Sequence, residues 1–503
     1  MRKLLLASAA ILGGTTGAWA QADPVQAFQS QGMMAMPWAG GPAANNNNNI
    51  WGTAIKGSVA VPTPGTVVIR LNGRVETDIS ANFTSGDRSV APGFKVNPVG
   101  ISSYMRLYPG IDGLATNGLR YGASIELRQN FANPNNFSNT VTVTSPTAGS
   151  LASQTTASSP SSYSSGETVL VRRAFVYIGS DKIGIVRIGQ TDGVIGLFDN
   201  GSYTSQGWDG GVGNFNGGQQ QSTAPAAGVS IPFAWLSQAG NEYSNNKIVY
   251  LTPQFFGFDF GVQYAPSQGN GYSNSTQGTA LQAQPCLVAS AGCNSISTGN
   301  DGTRWLNQVA VGVRYQGTVG PVNLGAFAVY ETAGKVSNPG GGTVLTGLNT
   351  VNSGAIRYDN LSFVNAAVKV EVPSVGVTWA FDYIGGALNG QLAMRPTGGA
   401  PENAFLTGLV YRNGPFVLGA EVGIVESQGS TSLTKVTQRK ETEFAFGGTY
   451  NAAPGLAFVL EYMHTERHQG GFDFLANAAS APASGLTRDV KGNSVSFSTI
   501  VTW

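Results

Sequence analysis

The chain contains few residues of the types that carry out covalent chemistry. Its two histidines, His464 and His468, stand in the segment MHTERHQ and share one strand parity with Glu466. That spacing could present metal ligands, but the segment lies where a predicted strand ends, which favours scattered loop residues. The glycine-rich segment GWDGGVGNFNGG, at 207–218, lacks the GxxxxGK[ST] pattern of a phosphate-binding loop. The sequence therefore indicates neither an enzyme nor a metal site, and no cofactor is expected.

The two cysteines, Cys286 and Cys293, stand in a stretch rich in Gly, Ser, Asn and Gln. A zinc site would need two further ligands nearby, and this stretch supplies none. In an exported protein, a CX6C pair favours a small structural disulfide. We therefore predict a disulfide loop at this position.

The first twenty residues predict export from the cytoplasm. A short basic start, MRK, precedes the apolar run LLLASAAILGG, and Ala18-Trp19-Ala20 supplies a small-x-small cleavage pattern. The apolar run is too short to serve as a bilayer-spanning anchor. We expect residues 1–20 to be a signal peptide that is cleaved after Ala20.

The charge content is low for a globular protein. Charged residues make up 11% of the chain, against about 25% in soluble domains. Removal of Arg2 and Lys3 with the signal peptide leaves 26 basic and 27 acidic side chains, because the full chain has 28 and 27. Such a neutral surface is a poor partner for nucleic acid. The sparse charge indicates that much of the surface does not face water.

Alternation of apolar and polar residues dominates the sequence, as expected for β-strands. In VVIRLNGRVETD, residues 67–78, the apolar side chains fall on one face and the charged ones on the other; FDFGVQYA and VAVGVRYQ repeat the scheme. The pattern predicts sixteen strands, near 66–79, 100–109, 117–129, 168–179, 183–190, 245–252, 257–265, 304–316, 321–331, 355–372, 375–385, 401–411, 415–426, 438–450, 455–466 and 491–503.

The predicted connections alternate between tight turns and long polar loops. An even number of long antiparallel strands with this alternation is typical of an all-β, transmembrane antiparallel β-barrel, here over residues 66–503. Sixteen strands would enclose a water-filled lumen, with apolar faces toward lipid. The chain ends within a strand, at Trp503. Closure of a barrel predicts that this strand pairs with the first, and an interfacial position suits the indole.

Several segments resemble the trimeric Gram-negative porins. RRAFVYIGSDKIGIVRIGQ (172–190) resembles the fourth and fifth porin strands, NNKIVYLTPQFFGFDFGVQY (245–264) the hairpin after the pore loop, and SYMRLYPG (103–110) the second strand. The terminal aromatic is usually Phe in that family, so Trp503 departs from the pattern. The segment 21–65 departs as well, since porins begin close to the first strand; its composition predicts a flexible lead.

The resemblance also implies a charged constriction. In porins the third long loop folds into the barrel, and its acidic residues face basic residues on the wall. The corresponding loop here is 191–244. By position, the expected wall residues are Arg74 and Arg106, joined by Arg120, and the expected loop acids are Asp192, Asp199, Asp209 and Glu242. Where the family often has a further Arg, at the end of strand five, this chain has Gln190.

The expected function is passive diffusion of small hydrophilic solutes and ions across the outer membrane of a Gram-negative bacterium. The resemblance implies a homotrimer surrounded by outer-membrane lipid and lipopolysaccharide, and the mixed charges predict weak ion selectivity. Two alternatives stay open. Tyr104 and Tyr108 could stack on sugars, which would indicate a solute-preferring channel. The lead 21–65 could instead close the lumen, which would indicate a surface-interaction or structural barrel.

Overall fold

The structure is a computed structural model that describes residues 62–85, 98–130, 170–180, 182–198, 245–267, 305–335, 358–389, 393–428, 438–473, 478–479 and 489–503. Within these ranges the chain is almost entirely β-structure, and the α-helical part is the five-residue helix α1, Val194–Phe198. Among the described residues, no helix combines the length and the hydropathy needed to cross a bilayer.

Sixteen antiparallel strands of the described chain form a closed barrel. The first eight are β1 Thr66–Thr84, β2 Val99–Leu114, β3 Arg120–Asn130, β4 Leu170–Ser180, β5 Gly184–Thr191, β6 Asn245–Leu251, β7 Phe258–Ser267 and β8 Trp305–Val319. The second eight are β9 Val322–Lys335, β10 Leu361–Val372, β11 Val377–Asn389, β12 Glu402–Asn413, β13 Phe416–Gln428, β14 Gln438–Ala453, β15 Leu456–Gln469 and β16 Val490–Thr502. All sixteen predicted strands are confirmed, with ends shifted by a few residues.

Each strand pairs with the next, and β16 pairs with β1 to close the ring. The register of this seam runs from Arg74↔Thr502 to Thr84↔Gly492. It is extended by Trp503, whose backbone exchanges two hydrogen bonds of 3.1 Å with Gly73. The chain thus ends in a fully paired strand, as predicted. A two-residue strand, Ala393–Met394, pairs with β11, and a small hairpin joins Phe472–Asp473 to Ala478–Ala479.

The connections alternate in length around the barrel. Those at one rim are short, such as 320–321 between β8 and β9 and 414–415 between β12 and β13. Those at the other rim are long, such as 131–169 and 192–244. This pattern places the start of β1 and the end of β16 at the short-turn rim.

The outer face of the barrel is apolar. Ile69, Leu71 and Ile101 are 78%, 64% and 72% exposed, whereas soluble proteins rarely expose large continuous apolar surfaces. Aromatic pairs lie near the short-turn rim, with ring centroids 4.9 Å apart for Phe258–Tyr315 and 5.0 Å apart for Phe416–Tyr450. Aromatic girdles at the ends of an apolar belt are typical of membrane-spanning barrels.

The inner face is polar on β1 and more mixed on the opposite strands. On β1, Arg74, Glu76 and Asp78 alternate inward and are at most 1% exposed. On β6 to β12, buried apolar residues such as Phe327 and Phe363 join α1 in one cluster. The inner wall of these strands is therefore partly apolar. Around α1 the reason is that its four large apolar side chains lie against β7, β8 and β9 and need apolar neighbours there.

Candidate functional site

The long connection after β5 starts on the inner face of the barrel. Every residue of Thr191–Phe198, hereafter the root segment, is buried. Its helix α1 packs against the inner sides of β7, β8 and β9. The root segment thus lies on the inner side of the barrel wall. Residues 199–244 lie outside the described residues, so the inward fold of the complete loop stays a prediction.

An arginine on β4 ties the start of the root segment to the wall. Arg173 donates from Nε to Glu126 Oε2 at 2.6 Å and from Nη1 to Asp192 Oδ2 at 2.5 Å. Glu126 is the direct cross-strand partner of Arg173, on β3. All three side chains are at most 3% exposed. Because each of these charges is buried, both carboxylates depend on the single positive charge that they share at Arg173.

Two further buried cations lie on the neighbouring strands. Arg187 on β5 places its guanidinium carbon 4.9 Å from the centroid of the Phe175 ring on β4, a distance suited to a cation–π contact. Lys247 on β6 is 3% exposed. Arg173, Arg187 and Lys247 are not among the residues predicted from the sequence. The alternation of residues along RRAFVYIG did not show that Arg173 faces the interior, because both faces of this strand carry apolar residues.

The other end of the root segment is held by residues of β7 and β8. Gln263 Oε1 accepts a hydrogen bond from the backbone nitrogen of Val194 at 2.6 Å. Arg314 donates from Nη1 to the carbonyl of Leu197 at 3.3 Å and forms a bidentate pair with Asp259, at 3.0 and 2.5 Å. A cation at the last carbonyls of a helix is electrostatically favourable. The root segment is therefore fixed at both ends.

The predicted wall residues fall into two places. Arg74 forms an ion pair with Glu76, and its position is paired with Arg106 of β2, which in turn is paired with Arg128 of β3. Arg120 is paired with Leu114 at the short-turn end of β3. It lies eight residues from Arg128 along β3, or about 27 Å. The structure thus separates Arg120 from the position at which Arg74 and Arg106 meet.

Asp192 is the one predicted loop acid within the described residues, and it forms an ion pair with Arg173. Gln190, which stands where related chains often have Arg, is buried on β5. For Arg106 the structure describes the backbone position. Five of the selected residues lie outside the described residues, namely Asp199, Asp209, Glu242, Cys286 and Cys293.

The two histidines lie on the outer face near the long-loop rim. His464 Nδ1 is 2.9 Å from Asn493 Oδ1 on β16, and His468 Nδ1 is 2.6 Å from Asp489 Oδ1. Their neighbour Glu466 contacts Lys491, with Nζ and Oε1 separated by 3.0 Å. These contacts connect the last two strands below the final long loop.

The profile of one family, described as Gram-negative porin, matches residues 38–470. The chain belongs to the Gram-negative porin family. It is therefore a channel of the outer membrane that solutes cross by diffusion, and the family and the fold point to a channel rather than an enzyme. No curated protein matches the chain.

Solved structures similar to this porin share little sequence with it. An anion-selective porin from Comamonas acidovorans is 12% identical, covers 87% of this chain and 100% of its own, and has a TM-score of 0.46. OmpT of Vibrio cholerae, an outer membrane protein in a trimer form, is 11% identical over 87% and 99%, with a TM-score of 0.43. A mutant of the Rh. blastica porin is 13% identical over 87% and 100%, with a TM-score of 0.42.

Proposed function

We propose that this porin passes small hydrophilic solutes and ions through a charged constriction that begins at the root segment. The observation that carries the proposal is the burial of the whole of Thr191–Phe198 against the inner wall, with Glu126, Arg173 and Asp192 at its start. A connection that leaves its strand inward narrows the passage. Opposite charges fixed in a narrow gap orient dipolar solutes and disfavour apolar ones.

In this proposal the wall of the constriction includes the position shared by Arg74 and Arg106, which neighbour each other on β1 and β2. The facing acids are Asp199, Asp209 and Glu242 in the pore loop. Arg120 belongs to the short-turn mouth of the channel, which is where its strand begins.

Single-channel recording in planar bilayers tests the constriction. Replacement of residues 201–240 by a short Gly-Ser linker keeps the root segment and both flanking strands. We expect a larger conductance per channel. The variant should still change its mobility on gels when it is heated, as a folded barrel does. An unchanged conductance in a folded barrel would count against a constriction formed by this loop.

A second candidate, a channel closed by its own chain, is favoured by the burial of the inner face. On β1 the interior residues Arg74, Glu76, Asp78 and Ser80 are at most 2% exposed. Side chains along a wide, water-filled passage would be partly exposed. The lead 21–65 is a candidate occupant of the lumen, and such a channel would conduct only when the occupant moves.

The same recordings on the mature protein with and without residues 21–65 separate the two candidates. Steps of equal size from both proteins support an open channel. Silence from the full mature protein, relieved by removal of the lead, supports a closed one and moves the function toward a gated or surface-interaction barrel.

We also propose that residues 1–20 are cleaved during export, that three copies assemble, and that lipid and lipopolysaccharide surround the barrel. N-terminal sequencing of the mature protein and its native mass test the first two. For the sugar-preferring alternative, Tyr108 is 1% exposed and offers no free face for stacking, whereas the side chain of Tyr104 lies outside the described part of the structure.

A further inference from the structure

The helix of the root segment lies over a pair of glycines in the wall. Gly261 on β7 and Gly312 on β8 are direct cross-strand partners, and both face the interior. A Cβ atom at Gly261 would lie 2.9 Å from both Phe198 Cζ and Val194 Cγ1. A Cβ atom at Gly312 would lie 3.0 Å from Val194 Cγ1 and 3.1 Å from Phe198 Cε2. The helix therefore occupies space that any other residue at these positions would fill.

The polar neighbours on the same two strands complete this arrangement. One interior position along β7 from Gly261 lies Gln263, which accepts from the Val194 nitrogen. One interior position along β8 from Gly312 lies Arg314, which donates to the Leu197 carbonyl and lies 5.0 Å from the centroid of the Phe198 ring. Both backbone ends of the short helix thus find partners on the wall, with the glycines between them.

We propose that the glycine pair, Gln263 and Arg314 form a seat that positions the root of the pore loop and so determines where the channel narrows. Gly312 is the critical positioning residue, because an added side chain there meets Val329 Cγ2 at 2.7 Å as well as the helix. A valine at position 312 adds two methyl groups beyond this Cβ atom, and we expect the helix to move away from the wall to make room for them. The inference rests on the proposed constriction, since the seat matters for transport only if the loop narrows the passage.

A helix of five residues needs such a seat. Isolated helices of this length are unstable in water, because nucleation fixes several residues for few hydrogen bonds. Its position must therefore come from tertiary contacts, and the wall supplies them through shape at the glycines and through hydrogen bonds at both ends. Loss of the seat releases the root segment without breaking the ladder between β7 and β8.

Gly325 on β9 provides a matched control. It is also a buried interior glycine, but a Cβ atom there would meet its nearest neighbour, Lys369 Cβ, at 3.9 Å, an ordinary contact. Gly312→Val should displace the helix, whereas Gly325→Val should leave it in place. Both variants add the same side chain to the same face of neighbouring strands.

Thiol labelling of the folded barrel reports the position of the helix without relying on transport. Ile195 is fully buried in α1, so Ile195→Cys, in a protein with Cys286→Ser and Cys293→Ser, should resist a water-soluble maleimide. We expect Gly312→Val to raise the labelling rate by about tenfold or more, because labelling follows local opening, and Gly325→Val to leave it unchanged. The single-channel conductance should change for Gly312→Val alone.

Continued protection of Ile195→Cys in a folded Gly312→Val barrel would overturn the seat. If Gly312→Val does not fold, Gln263→Leu tests the same idea, since it removes the acceptor of the Val194 nitrogen without a large change in volume; protection there would be equally contradictory. The labelling result is independent of conduction. A protein that never conducts but shows the expected labelling would contradict the proposed constriction and still support the seat.

Discussion

At the scale of single residues, Arg173 connects two carboxylates from distant parts of the chain, Glu126 and Asp192. Arg173→Gln would leave both acids buried without their cation. Removal of one partner from a buried ion pair costs about 3–5 kcal/mol of stability. We expect a loss in that range in urea unfolding of the refolded barrel. Arg395→Gln is the control: its pair with Asp359 is about a quarter exposed, so its loss should cost about 0–1 kcal/mol. Equal losses would contradict a special role for Arg173.

The seam of the barrel depends on a small residue at position 73. The Trp503 indole lies over Gly73, where an added Cβ atom would collide with the ring. We expect Gly73→Val to displace the indole and to destabilise the folded barrel by about 1–3 kcal/mol, the usual cost of overpacking. Val75→Ile adds bulk to the same exposed face of β1 and should be nearly neutral. Heat-modifiable mobility across a temperature series measures both, and equal melting would count against a packed seam.

At the scale of elements, the strands were predictable because alternation and turn residues specify each of them locally. The tight turns at Asn413-Gly414-Pro415 and Ala453-Pro454-Gly455 marked hairpins, and both hairpins are present. Helix α1 was not predictable, since five residues are too few to show a helical period. Its seat was visible only in part: FDFGVQYA and VAVGVRYQ each carry a glycine on the polar face, but register alone reveals that the two glycines are partners.

The charged wall was only half predictable for the same reason. Periodicity places a residue on a face but does not give its height relative to other strands. We expected Arg120 to join Arg74 and Arg106, but in the observed register the β3 residue paired with Arg106 is Arg128. Periodicity alone does not give this register. Likewise, the ion pair of Asp192 with Arg173 depends on the direction in which the chain leaves β5. The local sequence around Arg173 does not indicate that direction.

The pair of Asp259 and Arg314 joins two strands and the helix, and a double substitution tests it as a unit. Arg314→Met alone leaves the Asp259 carboxylate buried and uncompensated, so we expect a loss of about 3–5 kcal/mol. Addition of Asp259→Leu removes that charge and should recover much of the loss, because apolar replacements of buried pairs are often neutral. Urea unfolding of Arg314→Met, Asp259→Leu and the double variant measures the coupling. A double variant whose loss of stability equals the sum of the two single losses would contradict this coupling.

At the scale of the whole molecule, the inner charges are unevenly distributed. The inner wall formed by β11 to β15 carries six buried acids, Asp382, Glu402, Glu421, Glu441, Glu443 and Glu461. The bases on the same face are buried Arg467 and partly buried Arg412 and Arg439. On β1 to β8, buried acids such as Glu126 and Asp259 lie on strands next to those that carry buried bases, such as Arg173 and Arg314. Near-zero net charge for the chain therefore conceals an acidic wall, which the composition could not reveal.

We expect this acidic wall to give the channel a weak preference for cations. A reversal potential across a KCl gradient should show potassium favoured over chloride at 0.1 M, with the preference fading toward 1 M, where the screening length falls from about 10 Å to about 3 Å. Glu421→Gln should reduce the preference, since its side chain lies on the inner face. Glu426→Gln, on the outer face of the same strand and 39% exposed, should leave it unchanged. Chloride preference in the unaltered protein would show that the acidic wall does not set the field of the passage.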